Sequence, residues 1–167
     1  MLFRSDVTGA HVVIKNASSR TRGLEGLDDV SRALYGDMPN APIQVPMNGA
    51  IYMADLAGGQ KTGLFFDQRS NHAFAAGLSK GARVLDVFSH VGGFSLAALA
   101  AAADHAMAVD GSAAALDLAT QGAAAMGVQD TFETRRGDAF AVMTQLAEEG
   151  AEFDVVICDP PAFRSEE

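Results

Sequence analysis

Four aspartates in the second half of the sequence lie at or near the ends of four consecutive segments that are predicted to be strands. They are Asp86, Asp110, Asp138 and Asp159. A single aspartate here would mean little, because Asp often begins a helix by accepting hydrogen bonds from its first amides. Four in succession predict a ring of acceptors around a polar ligand, at the edge where the carboxyl ends of parallel strands meet.

A glycine pair, Gly92-Gly93, lies in the loop that follows the first of these strands. Glycine lets the backbone come close to a ligand, and the helix that begins near Phe94 would direct its first amides at the same place. Asp110, 24 residues past Asp86, can accept from both hydroxyls of a ribose. These features fit either a nicotinamide cofactor or S-adenosylmethionine (SAM).

The loop sequence favours SAM over a dinucleotide. A dinucleotide requires the tight G-x-G-x-x-G turn around its pyrophosphate, which SHVGGFS does not provide. Carboxylates at Asp86, Asp138 and Asp159 would repel a pyrophosphate, whereas they suit the cationic methionyl amine and sulfonium of SAM. The predicted cofactor is therefore SAM.

The elements that would position these residues change character near residue 80. Residues 10–66 contain short apolar runs (HVVI, PIQV, AIYMADL and GLFF) between Gly, Pro and Asn, a pattern typical of antiparallel strands and hairpins. From residue 81, short strands alternate with alanine-rich helices, which predicts a parallel sheet covered on both faces. We predict a β-rich domain in residues 1–80 and a Rossmann-like α/β domain in residues 81–167. Its strands are expected at 83–88, 105–110, near 131–138 and at 153–159.

Composition limits the function classes. The 167 residues can form one sizeable core. The net charge of −9 is uneven: residues 1–80 carry 8 Lys and Arg against 7 Asp and Glu, and residues 81–167 carry 4 against 14. One cysteine excludes an internal disulfide and cannot form a structural zinc site by itself. The sequence has no signal peptide and no apolar run of about 20 residues, so we expect a cytoplasmic protein with neither a membrane nor a metal as partner.

The motifs together resemble a known family. VLDVFSHVGGFS, the acid at Asp110, GDAF at 137–140 and DPPAF at 159–163 look like the motifs of class I SAM-dependent methyltransferases. GQKTGLFFDQRSN (59–71), with LEGL (24–27) and LYGDMP (34–39), is similar to the bacterial 23S ribosomal RNA cytosine-carbon-5 methyltransferases. The resemblance implies SAM-dependent methylation of ribosomal RNA. In that family an RNA-binding domain and a small β-rich domain precede the catalytic domain.

The resemblance also implies roles for individual positions, all of them in holding the cofactor or the substrate. Lys61, Thr62, Gln68 and Arg69 would line the entrance. Phe88 and Gly92-Gly93 would pass under the methionyl part, Asp110 would hold the ribose, Asp138 would accept from the adenine amine, and Asp159 would face the methionyl amine and the target base; Ser112 completes the cofactor-binding set.

Simpler roles remain open for several of these residues. Lys61 and Arg69 could form surface ion pairs, and Asp67 could order a turn. Phe65 and Phe66 are expected in the core. The chain departs from the family at His90-Val91, where an aromatic residue and a threonine are usual, and at His72, where an arginine is usual.

The carboxyl-terminal DPPAF turn supplies the predicted catalytic residues, Asp159, Pro160 and Phe163. Two prolines fix φ and remove two amide donors, so they would hold Asp159 rigidly, and Phe163 could stack on a base taken out of its helix. A similar turn accepts from the target amine in exocyclic-nitrogen methyltransferases. Methylation at a cytosine carbon also needs a thiolate. Cys158 is expected to lie in the core on the opposite face from Asp159, as a neutral thiol.

The family's nucleophilic cysteine lies beyond this turn, so the chain is expected to be a fragment that is inactive alone and lacks the last strands of the sheet. Three hypotheses follow: a cytosine-carbon-5 methyltransferase, a nitrogen methyltransferase that uses the DPPAF turn, and a non-catalytic module that binds SAM or RNA. An exposed sheet edge would also permit a homodimer, as an artefact of truncation.

Overall fold

The computed structural model describes residues 7–15, 17, 23–28, 30–56 and 64–161. The predicted sites Lys61, Thr62 and Phe163 lie outside these residues. The chain forms two compact units, one containing the described residues of Met1–Ile43 and Ala54–Gly63, the other those of Gln44–Met53 and Leu64–Glu167.

The first unit contains a pair of antiparallel strands. Strand β1 (Val13–Lys15) pairs with β2 (Arg32–Tyr35), with an irregularity in the register after Val13. The Lys15 ammonium forms an ion pair with Asp28. The antiparallel pairing predicted for this part of the chain is therefore confirmed.

The second unit begins with a hairpin. Strands β3 (Ile43–Met47) and β4 (Ala50–Ala54) pair with each other, and the two residues between them, Asn48 and Gly49, both have positive φ, 54° and 79°. Asn-Gly is favoured in such a turn because both residues tolerate the left-handed conformation. The sequence places this hairpin correctly.

The segment after the hairpin differs from the prediction. GLFF was expected to be a strand, but Phe66–Gln68 form a single 3-10 turn that leads into helix α1 (Arg69–Gly77). Phe65 and Phe66, expected in the core, are 50% and 61% exposed. A short apolar run cannot be assigned by periodicity alone, and here the aromatic pair precedes a helix.

A four-stranded parallel sheet dominates the second unit, as predicted. Its strands are β5 (Arg83–Val87), β6 (His105–Asp110), β7 (Phe132–Arg136) and β8 (Val155–Cys158), in the spatial order β7-β6-β5-β8. Helices α2 (Gly93–Ala100), α3 (Ala113–Met126) and α4 (Ala139–Glu148) connect them. The order reverses between β5 and β8, and a ligand crevice is expected at such a switch point.

The core lies on both faces of strands β5 and β6. On one face, Val84 and Ala106 pack with Ala98 and Leu99 of α2. On the other, the apolar residues of β5 and β6 pack with α4; this cluster contains Leu85, Val87, Met107, Val109, Val142 and Leu146. Alternate side chains of each strand therefore serve opposite layers.

Strand β8 is covered on one face only. Val155 and Ile157 pack against the α2 cluster, whereas Val156 is 56% exposed and Cys158 is exposed. The expectations that both faces are covered and that Cys158 is a core residue are therefore wrong for this strand. The physical reason is that α4 packs over β6, two strands away from β8.

The division at residue 80 is not the division into compact units, because residues 44–53 and 64–80 belong to the same unit as the parallel sheet. A domain of residues 1–80 followed by one of residues 81–167 stays a proposal. Within the described part of the chain, no helix combines the length and apolarity needed to cross a membrane.

Candidate functional site

Strand register brings three of the predicted residues to one level at the carboxyl edge of the sheet. Val87 of β5 pairs with Val109 of β6 and with Cys158 of β8. The next residues along the three strands are Phe88, Asp110 and Asp159, which therefore follow one another across the edge. The strand order reverses between β5 and β8, so the switch point lies between Phe88 and Asp159, where a ligand crevice is expected.

Asp110 is held by two backbone amides. The His90 amide donates to Oδ2 at 2.9 Å, and the Ser112 amide donates to Oδ1 at 2.8 Å. Each oxygen of a carboxylate has a further lone pair, so Asp110 is oriented and still able to accept from two hydroxyls. Ser112 itself caps α3, because its Oγ accepts from the Ala115 amide at 3.3 Å.

The loop after β5 has an alternating left-handed backbone. Phe88, His90 and Gly92 have φ of 64°, 51° and 78°, and the first two pay a steric cost that glycine does not. Phe88 packs edge-on against Phe140, with ring centroids 6.1 Å apart, and the His90 ring packs against Phe65 at 5.8 Å. Backbone strain of this kind concentrates at functional sites.

The glycine pair is required by packing within the protein. A Cβ at Gly93 would lie 2.8 Å from Nε2 of His72, and one at Gly92 would lie 3.1 Å from the Cβ of Ala119. The sequence analysis expected the glycines to make room for a ligand. The structure adds a second reason, the close approach of α1 and α3 to the start of α2.

Asp86 lies beneath this loop and is 1% exposed. Its Oδ2 accepts from the Ser95 amide at 2.9 Å, and its Oδ1 has no hydrogen-bonding partner within the part of the chain that is described. Burial raises the pKa of Asp86 to about 6, against the opposing effect of Ser95 and the amide of Phe94, and the charge of Asp110 adds to the rise. The predicted ring of acceptors thus has three accessible members and one buried one.

His72 lies behind the glycine pair and was identified in the sequence only as a departure from the family. It is 6% exposed, and its ring centroid is 4.5 Å from that of Phe94. Burial lowers the pKa of His72, and the nearby carboxylate of Asp159 opposes this shift. Tyr52, from β4, lies beside it and donates to the Gly93 carbonyl at 3.0 Å. Burial, and then the charge of Asp86, raise the pKa of the Tyr52 phenol.

The turn before α1 reaches the end of β8. Nε2 of Gln68 donates to Oδ2 of Asp159 at 3.2 Å, and Nδ2 of Asn71 donates to Oε1 of Gln68 at 2.5 Å. Arg69 is directed to the β3–β4 turn, where its Nε donates to Oδ1 of Asn48 at 3.3 Å. The structure therefore brings Gln68 to the predicted site, whereas Arg69 binds a neighbouring amide.

Asp138 begins helix α4. Its Oδ1 accepts from the Ala141 amide at 3.0 Å, the geometry of an N-cap. The adjacent Gly137 amide donates to the Asp110 carbonyl at 3.1 Å, which ties the ends of β6 and β7 together. Phe140, the second residue of α4, is 58% exposed next to Phe88.

Across the described residues, no three His, Cys, Asp or Glu side chains are grouped as a metal site would require.

Pro160, one of the predicted catalytic residues, is exposed directly after Asp159.

Comparison with known proteins identifies relatives of this chain. The family described as Conserved hypothetical protein 95 matches residues 65–167. Ribosomal RNA large subunit methyltransferase I of Aeromonas hydrophila is 37% identical over 154 residues, which cover 90% of this chain and 38% of the relative. The chain thus spans well under half the length of this curated relative.

Solved structures share the fold. A proposed SAM-dependent methyltransferase from Streptococcus mutans is 28% identical, with a TM-score of 0.71, over 79% of this chain and 36% of that one. A proposed methyltransferase solved in complex with S-adenosylhomocysteine (SAH) is 27% identical, with a TM-score of 0.73, over 83% of this chain and 37% of that one. The predicted Rossmann-like methyltransferase fold is confirmed.

Proposed function

We propose that this chain, which belongs to the Conserved hypothetical protein 95 family and has the class I methyltransferase fold, binds SAM as part of an RNA methyltransferase. The observation that carries the proposal is the placement of Asp110, Phe88 and Asp159 at one level of the sheet edge, with Asp110 oriented by two amides. The name of the Aeromonas relative supports ribosomal RNA as the substrate. Such a substrate would also agree with the predicted cytoplasmic location.

The residues at this edge fit SAM. The carboxylate of Asp110 would accept from the ribose hydroxyls and Asp138 from the adenine amine, while Asp159 would face the methionyl amine. Phe88 and the exposed ring of Phe140 offer apolar surface between these positions. When bound, SAM supplies a methyl group on a cationic sulfonium, which the acidic edge would stabilise.

A finer proposal names cytosine carbon-5 as the target atom. The upstream GQKTG and DQR segments support it through their likeness to that family. Addition to carbon-6 of the base requires a thiolate. Cys158 is on the opposite face of β8 from Asp159, because neighbouring side chains of a strand alternate. Cys158 is therefore not placed to supply this thiolate.

A second candidate is methylation of a nitrogen. It is favoured by the exposed position of Asp159 at the end of β8, followed by two exposed prolines, because such a turn can accept from an amine without a cysteine. Nucleoside mass spectrometry of RNA treated with the protein would separate the two. Activity that survives replacement of every cysteine would support the nitrogen target, and its loss would support carbon-5.

The first experiment is calorimetric titration of the chain with SAH, with NAD as the alternative ligand. Asp110→Ala should abolish binding, and Asp110→Asn should weaken it while it preserves the shape of the side chain. Asp117→Ala, at an exposed position of α3, is the matched control and should bind normally. Binding of NAD in place of SAH, or SAH binding that Asp110→Ala leaves unchanged, would overturn the proposal.

A further inference from the structure

A chain of two side-chain amides leads from α1 to the carboxylate at the end of β8. Asn71 donates to Gln68 at 2.5 Å, and Gln68 donates to Asp159 at 3.2 Å. Gln68 and Asn71 are three residues apart at the start of α1, so they share one face of the helix. Asp159 is 91 residues further along the sequence, so this contact joins α1 to the parallel sheet.

The chemistry of these three side chains fixes the direction of the hydrogen bonds between them. An ionised carboxylate can only accept, so the Gln68 atom that faces Asp159 must be the nitrogen. The carbonyl oxygen of Gln68 then faces Asn71, which must present its own nitrogen. The direction Asn71 to Gln68 to Asp159 therefore follows from the acceptor at its end.

We propose that Asn71 is a positioning residue of the site: by donating to Oε1 of Gln68 it fixes the Gln68 amide with its nitrogen toward Asp159, and so sets the orientation of the Asp159 carboxylate. Gln68 was assigned to the entrance of the site from the family resemblance, whereas Asn71 had no assigned role. The link to catalysis rests on the proposed function of Asp159; the direction of the hydrogen-bond chain does not.

Variants that reverse the direction of these hydrogen bonds test the proposal. In Asn71→Asp, two carboxylates compete for one amide nitrogen, because the Gln68 amide cannot present its nitrogen to both. In Asp159→Asn combined with Asn71→Asp, the Gln68 amide can turn around, donate to the new carboxylate and accept from the new amide. Asn40→Asp, at an exposed position of the first unit, adds the same charge and is the matched control.

The readouts are the side-chain amide resonances of Gln68 in a ¹H–¹⁵N spectrum and the midpoint of thermal unfolding. Each single variant should shift these resonances and lower the midpoint, the double variant should recover most of the lost midpoint, and Asn40→Asp should change neither. Such non-additivity is expected only for groups in one network. The proposal would be overturned if the midpoint of the double variant were lowered by the sum of the two single decreases. It would also be overturned if the Gln68 resonances were unchanged in Asn71→Asp.

The role in cofactor binding is tested separately. Asn71→Asp should weaken SAH binding by about tenfold, the loss expected for one disturbed charge-assisted hydrogen bond, although it leaves Asp159 in place. If the wild-type chain binds no SAH, the proposed function fails while the hydrogen-bond cycle can still hold. If the wild type and Asn71→Asp bind SAH equally, the positioning role is wrong and the proposed function stands.

Discussion

The imidazole of His72 occupies the space that a side chain at position 93 would need. A Cβ at Gly93 would lie 2.8 Å from Nε2 and 2.9 Å from Cε1 of that ring. Since His72 is on α1 and Gly93 begins α2, this contact sets how closely the two helices approach. The buried ring of His72 thus brings the glycine pair into contact with helix α1, which begins at the end of the DQR sequence (67–69).

Gly93→Ala should destabilise the chain by about 1–3 kcal/mol, because an added methyl group in a packed site forces neighbouring atoms to move. In a His72→Ala background the same substitution should cost much less, since the obstructing ring is gone. Urea denaturation of the four variants gives this cycle. Gly77→Ala, where an added Cβ meets nothing within 4 Å, is the control and should be close to neutral. An equal cost of Gly93→Ala in both backgrounds would contradict the packing argument.

Asp86 should make the chain less stable as pH rises. Its pKa is about 6 in the folded chain, against 3.8 as a reference, so the folded state binds more protons than the unfolded state between these values. The stability due to this group is present at low pH and is lost as pH rises through that window. Asp86→Asn removes the effect, so its unfolding free energy relative to wild type should increase by about 2–3 kcal/mol between pH 4 and pH 7.

The control for this measurement is Gln121→Ala, at an exposed position of α3 that carries no titratable group, whose difference from wild type should not depend on pH. If Asp86→Asn also differs from wild type by a constant amount, the carboxyl group is not the buried titrating group that the structure indicates.

His72 should titrate below the usual range for histidine, because burial lowers its pKa. The carboxylate of Asp159 opposes that shift, so Asp159→Asn should lower the pKa of His72 further. The Cε1 proton of His72, followed by NMR from pH 4 to pH 8, gives both values. Asp117→Asn, at an exposed position of α3, is the control and should leave the pKa of His72 unchanged. An unchanged or increased His72 pKa in Asp159→Asn would show that the two groups do not interact.

Because the unfolded chain protonates His72 first, this residue should also reduce stability as pH falls below about 6.5. The effect has the opposite sign to that of Asp86. In His72→Gln, the free energy of unfolding should therefore decrease less than in wild type as pH falls below about 6.5. In Asp86→Asn, it should increase less than in wild type as pH falls from about 6 toward 3.8.

Asp138 combines a structural cap with a proposed contact to adenine, and two substitutions separate these roles. Asp138→Ala removes the cap of α4 and should cost about 1 kcal/mol of stability. Asp138→Ser keeps a capping oxygen and should preserve stability. Both should weaken SAH binding if Asp138 also accepts from the adenine amine, as calorimetry would measure. An Asp138→Ser variant with wild-type affinity would leave Asp138 with the cap alone.

The parallel sheet could be predicted because its signals are local and regular. HAMAVD was assigned to 105–110, and the strand is His105–Asp110; the predicted ends of β5 and β8 are within two residues of those observed. Strands β5 and β6 are each a short apolar segment followed by an alanine-rich helix, so the period and the length of these segments agree. Because parallel strands end at the same edge of the sheet, the aspartates at the strand ends could be predicted to lie at that edge.

Features that depend on tertiary packing could not be predicted. Phe65 and Phe66 were predicted to lie in a strand because the short segment GLFF gives no sign that α1 begins a few residues later. Cys158 was expected to be buried because alternation gives the face of a residue but not whether a helix covers that face. His72 and Asn71 are important here only because α1 packs on α2 and reaches β8, contacts between residues far apart in sequence.

The exposed thiol of Cys158 offers a practical consequence. It is the sequence's single cysteine and directly precedes Asp159. A thiol-reactive fluorophore would therefore attach at one position only, adjacent in sequence to Asp159 but on the opposite face of β8, and without any cysteine substitution. Its emission would report ligand arrival in real time, and the same thiol could anchor a photo-crosslinker that captures the RNA segment approaching this end of the sheet.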